Sequence, residues 1–451
     1  MIGVATNNTV LFEDIQKKME DESVQFLLAS FSDLNGTSRA KLVPSKRLSA
    51  VCESGAGFAG FAVGDLGHGP ADPDILCIPD LRSLTILPWQ KDLAWFAGTL
   101  TEDGTPWSYC TRTILLNVME RAKKLGYEMK TGLEPEFFLL NEDEQGGISP
   151  SDPYDVAKKP CYNQQALMRN YDFLSRLIHY MDELDWGVSQ ADHEDANGQF
   201  EVNFNFSDVL TSADRLTFFK YMVRNMAEER NLVATFMPKP FSHLTGNGCH
   251  MHLSLWNGDK NLFESDHDPR GNELSETAYH FIGGVLKHAR ALSAIVCPTV
   301  NSYKRLTALS TSSGATWAPN FISYGGNNRT KLIRIPESGR IEFRAMDSNA
   351  NPYLAAAAIL SAGLDGIENK IDPDQFISDN SKLMNHLGEK VDKLPSTLQE
   401  AILELEQDTV LIDALGAGFM ETYLKRKKEE WAEYHDFISS WEIKKYLKET
   451  N

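Results

Sequence analysis

Apolar residues recur along this chain with two periods, and the switches between them mark its elements. Residues 12–24 (FEDIQKKMEDESV) repeat apolar positions at helical spacing and predict a short amphipathic helix. Val24–Phe31 then reads as a strand, Asp33-Leu34-Asn35-Gly36 as a turn, and Arg39–Pro44 as a strand returning from it. Glu53–Gly69 is rich in Gly and Ala with Phe58 and Phe61 embedded, and predicts an irregular loop. Asp74–Pro88 returns to strand character. The stretch before Trp107 therefore reads as a small β-rich unit, and Trp107–Thr113 as a linker.

Helical spacing resumes at Ile114–Leu125, with Gly126 at its end. Thr131–Leu140 (TGLEPEFFLL) is an apolar run after a Gly and reads as a short buried strand. Gln145–Pro160 is a polar surface loop. Gln164–Leu184, Ala213–Glu229 and Leu274–Ile295 carry helical periodicity, and Asp192–Phe206 is a turn feeding an alternating strand. Asn351 before Pro352 marks a helix start, with Asn as cap and Pro in the first turn. The C-terminal part is helical and charged. The alternation of helix and strand is irregular, which points to an α+β fold. At 451 residues the chain holds two or three domain-sized units, or one small domain and one large one.

Composition narrows the partners. The chain is 42% hydrophobic and 24% charged, ordinary for a soluble globular protein. A net charge of −19 lacks the basic footprint of a nucleic-acid binder. The N-terminus has no basic and apolar signal pattern, and no run approaches the ~18 apolar residues of a membrane span. Six cysteines lie far apart without a C-x-x-C pair, which predicts reduced thiols and a cytoplasmic protein.

The strand Thr131–Leu140 contains Glu134 and Glu136, two positions apart and hence on one face. Burying two unpaired carboxylates is costly, and a hard divalent cation would compensate them. An exposed face with two solvated acids is the alternative. Further along stand Glu194 and Glu201 around a turn, His250 and His252 alternating on a strand, and Glu342. Arginines gather at 305, 329, 334, 340 and 344. Carboxylate-bound metal beside clustered Arg suits phosphoryl transfer. No Walker A motif is present, so the nucleotide site is not a P-loop.

The stretches GLEPEFFLL, HEDANGQFE, GNGCHMHLS, NSYKRL, NNRTKLIRIP, and GRIEFR followed by NPYLAAA resemble, in this order, the glutamine synthetase superfamily over nearly the whole chain. The resemblance implies an N-terminal β-grasp domain, residues 1–110, and a catalytic domain, residues 111–451, built on a curved antiparallel sheet flanked by helices. It also implies a dodecamer of two hexameric rings with each active site between neighbouring subunits. It implies two or more Mg²⁺ or Mn²⁺ per site, one on Glu136, Glu194 and Glu201, another on Glu134, His250 and Glu342. Arg305 and Arg344 would clamp the carboxylates of glutamate, and Gly246 would let that substrate approach the backbone. Arg329 would stabilise the transferring phosphate. His252, Ser254, Arg334 and Arg340 would line the ATP site. The implied reaction forms γ-glutamyl phosphate from glutamate and ATP, and an amine then displaces phosphate.

The amine pocket departs from the family pattern. Where ordinary members bind ammonium with an Asp, this chain has Ala59, and where they close the site with a Glu it has Trp317. The stretches GAGFAG and GATWAP resemble those of the γ-glutamylmethylamide synthetases (glutamate–methylamine ligases) within the family. A Trp face attracts an alkylammonium, worth ~0.5–2 kcal/mol. Asp192, assisted by Glu201, is the candidate base, and Tyr162 is expected in the amine site. Asp65 could alternatively replace the lost Asp. The alternatives are an ammonia-dependent glutamine synthetase, a ligase for another small amine, and a non-catalytic protein of the same fold. The segment that some bacterial members adenylylate has no match near Leu387–Pro395, so that regulation is not expected.

Overall fold

The computed structural model describes residues 2–63, 68–376 and 392–448. Asp65 lies outside the described residues, as does most of Leu387–Pro395.

The small sheet begins with a hairpin. Phe26–Ser32 pairs antiparallel with Ser38–Pro44, and the turn between them closes on Asp33, whose Oδ1 accepts the N–H groups of Asn35 and Thr37 at 3.0 Å. Phe26–Ser32 also runs parallel to Gln90–Glu102, which pairs with Asp74–Pro79. Ala56–Ala59 adds the far strand, antiparallel to Asp74–Pro79. This corrects the loop expected over Glu53–Gly69. Small side chains lower the β-propensity that the sequence displays, but Ala56 and Phe58 still alternate inward.

The expected linker Trp107–Thr113 is also corrected. Trp107 and Cys110 are buried, and the helix Thr111–Lys124 starts inside this stretch. Arg112 is 3% exposed. Its Nε and Nη2 donate to Asp214 at 3.0 and 2.8 Å, and Nη2 also reaches Asp80 at 2.9 Å. One guanidinium thus ties the small sheet's edge to the helix Val209–Glu228.

The larger sheet runs in the order Val188–His193, Gln199–Phe204, Glu128–Glu142, Cys249–Asn257, Arg340–Phe343, Ile333–Glu337, Tyr324–Gly325. Every neighbouring pair is antiparallel except the last. The Phe-rich end of Glu128–Glu142 buries Phe137 and Phe138 completely. Behind the sheet lies the helix Pro352–Glu368, buried from Pro352 to Gly366 and apolar on all sides, as a central helix must be. Asn351 caps it, accepting from the N–H groups of Tyr353 and Leu354 at 3.0 and 3.3 Å, as its sequence indicates.

Two predicted helices are broken. Gln164–Leu184 divides at Asn170, whose side-chain amide donates to Ala166 O at 3.0 Å and competes with the helical ladder. Leu274–Ile295 divides at His288, whose ring is held between Asp408 and Asp365 at 2.5 and 3.0 Å.

Candidate active site

Strand register assembles the site. Glu136 faces Glu201 on the neighbouring strand, and Glu201 faces Asp192 on the next. To the other side Glu134 faces His250, His252 faces Glu342, and Glu342 faces Arg334. Directly opposed residues bring their Cβ atoms within ~4.5–5.5 Å. Six strands therefore deliver acids, imidazoles and a guanidinium to one face. Like charges opposite one another destabilise a sheet, so this face calls for cations.

Apart from Glu342, these residues line one cavity of about 440 Å³. It takes in Glu134, Glu136, Glu194, Glu201, His250 and His252, together with Asp192, Tyr162, Trp317, Arg329, Arg334, Arg340 and Arg344. A second cavity of about 510 Å³ shares Glu134, Gln190, Asn203, His252 and Arg340 with it and extends over Ser254 and Trp256. The Ser254 hydroxyl accepts from the indole N–H of Trp256 at 2.8 Å, and Lys130 Nζ lies 3.8 Å above that ring.

Electrostatics separates the acids. Burial, reinforced by the charges of Glu136 and Asp192, pushes the Glu194 carboxyl up to about 8. Burial and the charges of Glu134, Glu194 and Glu136 push Glu201 well above the carboxylate range. Burial also lifts Asp192, and the charge of Glu134 adds to it against a 2.8 Å hydrogen bond from Gln190. Glu134 goes the other way. Burial opposes its charge, but His250 and His252, 3.4 and 3.0 Å away, hold its carboxyl far below the usual range. Glu342, fully buried, is held low against burial by His250, Arg344 and His252. It accepts from Arg334 Nη1 at 2.7 Å and from Arg344 Nη1.

The donor set fits divalent metal. Ligand atoms of Glu134, Glu201 and His250 all lie within 4.8 Å of one another, and so do those of Glu134, His252 and Glu342. Oxygen-rich sets with one imidazole suit Mg²⁺ or Mn²⁺. The second set that the resemblance implied is also together, His250 Nδ1 lying 3.4 and 3.5 Å from Glu134 and Glu342. Glu134 belongs to both sets, and His252 stands among candidate ligands as well as on the wall toward Ser254. Glu136 is turned to its own donors instead, accepting from the Gly248 N–H and Gln199 Nε2 at 2.8 and 2.9 Å.

Four expected residues line neither cavity, the fully buried Glu342 among them. Arg305 is 4% exposed and sits behind the cavity wall, donating from Nη1 and Nη2 to the carbonyls of Ala345 and Arg344 at 2.8 and 3.2 Å. Gly246 is needed by the chain itself, since a Cβ there would stand 2.2 Å from Pro238 O. Ala59 is exposed at the end of its strand in the small sheet and lines neither cavity.

Other residues were not singled out from sequence. Gln199 and Asn203 share the strand face of Glu201, and that alternation is their only signal. Gln199 Nε2 also reaches Gly246 O and Asn247 Oδ1, and Asn203 donates to Glu201 Oε1 at 3.0 Å. His193, fully buried, pairs with Asp155 at 2.8 Å and fixes the turn that carries Glu194. Asp195, 7% exposed, accepts from Trp317 Nε1 at 2.8 Å, Ser313 Oγ at 2.5 Å and Thr245 Oγ1 at 3.1 Å. No contact of this kind is visible in a linear sequence.

Residues 108–446 match the sequence model of the family described as glutamine synthetase, catalytic domain. A glutamine synthetase of Rhizobium leguminosarum bv. phaseoli is 46% identical over 429 residues, covering 95% of this chain and 98% of that protein. A glutamate–methylamine ligase of Methyloversatilis universalis is 44% identical over 440 residues, covering 96% and 98%. A solved structure of a GmaS/ADP complex matches with a TM-score of 0.90 and 48% identity, covering 96% of this chain and 99% of that one. The chain belongs to the glutamine synthetase family. It is an ATP-dependent ligase with the α+β fold of that family. Among the described residues no helix is long and apolar enough to cross a membrane.

Proposed function

We propose that this ligase joins the γ-carboxylate of glutamate to methylamine, giving γ-glutamylmethylamide, ADP and phosphate. The observation that carries the reading is Trp317. Its indole lines the cavity with Asp192 and Tyr162, and its N–H is anchored on Asp195. An indole face suits a small alkylammonium better than a free ammonium ion. Further support comes from the 44% identical glutamate–methylamine ligase and the GmaS structure at 48% identity.

In this reading Arg344 binds a carboxylate of glutamate, with Arg305 bracing the wall behind it. The γ-carboxylate oxygen attacks the γ-phosphorus of ATP and ADP leaves. Arg329 and Arg340 face the transferred phosphoryl group. Asp192, aided by Glu201, takes a proton from the bound alkylammonium, and the freed nitrogen attacks the acyl carbon as phosphate leaves. Glu136, freed from its present donors, would hold one divalent cation with Glu194 and Glu201, and Glu134, His250 and Glu342 would hold another, with His252 at hand for the second. Bound metal supplies neutralisation of phosphate oxygens. ATP would lie along the second cavity past His252, Ser254 and Arg340, with Arg334 on the wall of the first.

The division at residues 110 and 111 belongs to the same reading, supported by the small sheet's last short strand, Thr105–Pro106, and the helix start at Thr111. So does ring assembly. Ala59 lies off its own chain's cavity, which is where a residue would stand if it served a neighbouring subunit's site.

An amine panel with ATP, glutamate and Mg²⁺ tests the proposal by phosphate release. We expect kcat/KM for methylamine to exceed that for ammonium by about tenfold or more, the discrimination that one methyl group permits. Parity, or a preference for ammonium, favours the second reading, a true glutamine synthetase, which the 46% identical relative supports.

A further inference from the structure

A separate cavity of about 330 Å³ lies between the hairpin tip Leu34–Thr37, the helix Val209–Glu228 and the helix Ala417–Asp436. Its walls carry three cations, Lys220, Arg224 and Lys427, against one carboxylate, Glu430. Lys427 and Glu430 pair at 2.9 Å. The other two cations are left over. Lys220 is 8% exposed, and its ammonium makes a single hydrogen bond, to Ala350 O at 3.3 Å. Arg224 lies over the Phe236 ring, 5.3 Å from its centre. Neither has a carboxylate within ion-pair distance among the described residues.

Lys220 and Arg224 stand four apart on one helix, so their charges share a face and repel. A buried ammonium without a counter-ion is costlier still. Burial pulls Lys220 down to about 8 and lowers Arg224 too. The nearby acids do not answer this charge. Glu430 already serves Lys427 and accepts the Val300 N–H at 3.1 Å. Asp347 is fully buried and off the cavity wall, and acts on Lys220 only at longer range, with no ion pair among the described residues. Glu228 faces Arg224 only at longer range along the same helix. Three cations less one carboxylate leave a charge of +2 around the space. Thr299 adds a hydroxyl to the wall, while that of Ser348 is already donated to backbone carbonyls.

We infer that this cavity is a binding site for a small dianionic oxyanion, inorganic phosphate or a short dicarboxylate, held by Lys220, Arg224 and Lys427. A guanidinium and ammonium beside a hydroxyl match such oxygens in charge and in donor geometry. The site is distinct from the cavity of the acids but touches its frame. Ser348 Oγ lies 3.1 Å from Glu136 O and 3.0 Å from Gly248 O.

Equilibrium dialysis of radiolabelled phosphate against the full chain, without nucleotide and at fixed ionic strength, tests this. R224Q replaces the exposed cation, and K220M the buried one; circular dichroism checks that each folds. R340Q weakens phosphate binding at the ligase site instead. We expect saturable binding that R224Q weakens by about tenfold or more, the loss of one charge-assisted hydrogen bond, and that persists in R340Q. Displacement of the label by succinate would identify a dicarboxylate site, and its failure a phosphate site. Absence of saturable binding, or binding that folded R224Q leaves unchanged, would overturn the inference.

Discussion

Trp317 and Asp195, 122 positions apart, are joined by an indole N–H to carboxylate hydrogen bond of 2.8 Å. The partner carboxylate is itself held by Ser313 and Thr245. Trp317 carries a positive φ of 56°, a backbone conformation that bulky residues seldom adopt without such support. The indole's orientation is therefore set by Asp195 rather than by its own preference. Asp195→Ala should lower kcat/KM for methylamine by about threefold to thirtyfold, the range of a lost cation–π contact, while KM for ATP stays put. Steady-state kinetics with each substrate varied checks the split.

Trp317→Ala combined with Ala59→Asp asks a different question. If the two departures from the family pattern set the amine, the double variant shifts preference toward ammonium. Competition between the two amines, read by mass spectrometry of the products, gives the ratio directly. An unchanged ratio would mean that neither position selects the amine.

The acid cluster makes metal binding proton-linked. Burial and neighbouring acids push Glu194 up to about 8 and Glu201 well above the unfolded carboxylate range. The metal-free fold therefore binds protons that the unfolded chain has released, and its stability falls as pH rises from the ordinary carboxylate range through those raised values. Metal needs the ionised acids, so Mg²⁺ affinity rises with pH and binding expels protons. Calorimetry at pH 7 in buffers of different ionisation enthalpy should register net proton release. A count of zero contradicts the assigned cluster.

Gln199 fixes Glu136 and the loop at Gly246 at once. Gln199→Leu keeps the volume but drops the hydrogen bonds. Outer groups of this kind typically contribute about 10–100-fold in metal affinity or activity. Mg²⁺ titration followed by intrinsic fluorescence would register the change.

His288 supplies a stability prediction far from the site. Burial works against its charge, but hydrogen bonds to Asp408 and Asp365 outweigh it and hold its pKa above the ordinary 6.5. A raised folded pKa stabilises fully below the unfolded value and is lost as pH rises through the folded one. Asp365 is held low by Lys287 and His288 against burial, which sets the acid limit of the same window. His288→Gln should cost about 3 kcal/mol at pH 6, the scale of a broken buried ion pair, and less at pH 9. Denaturant unfolding at the two pH values measures the difference.

How much of this could be read from the sequence follows from the range of each interaction. Glu134 and Glu136 share a strand face because the period of a strand is local, and the hairpin around Asp33 is written in adjacent residues. The burial of Trp107–Thr113 was not legible, because it depends on Asp214, about a hundred positions downstream. The helix break at His288 depends on Asp365 and Asp408 in the same way. In the site, the acids were legible as a set, but the place of His252 beside Glu134 was not. Which carboxylate meets which imidazole is decided by register between strands, and register is a property of pairs of distant segments. Arg305 shows the limit most plainly, since its motif placed it at the substrate and its guanidinium rests on backbone carbonyls behind the wall.

The bridge from Arg112 to Asp80 and Asp214 has a consequence for modularity. A small sheet borrowed from a relative and joined to this catalytic unit would have to bring its own carboxylate to the position of Asp80. Without it, part of a buried guanidinium would lose its counter-charge at the joint. The small sheet and the helix Val209–Glu228 are therefore matched parts, and any recombination between family members is constrained at that one side chain before the active site is reached.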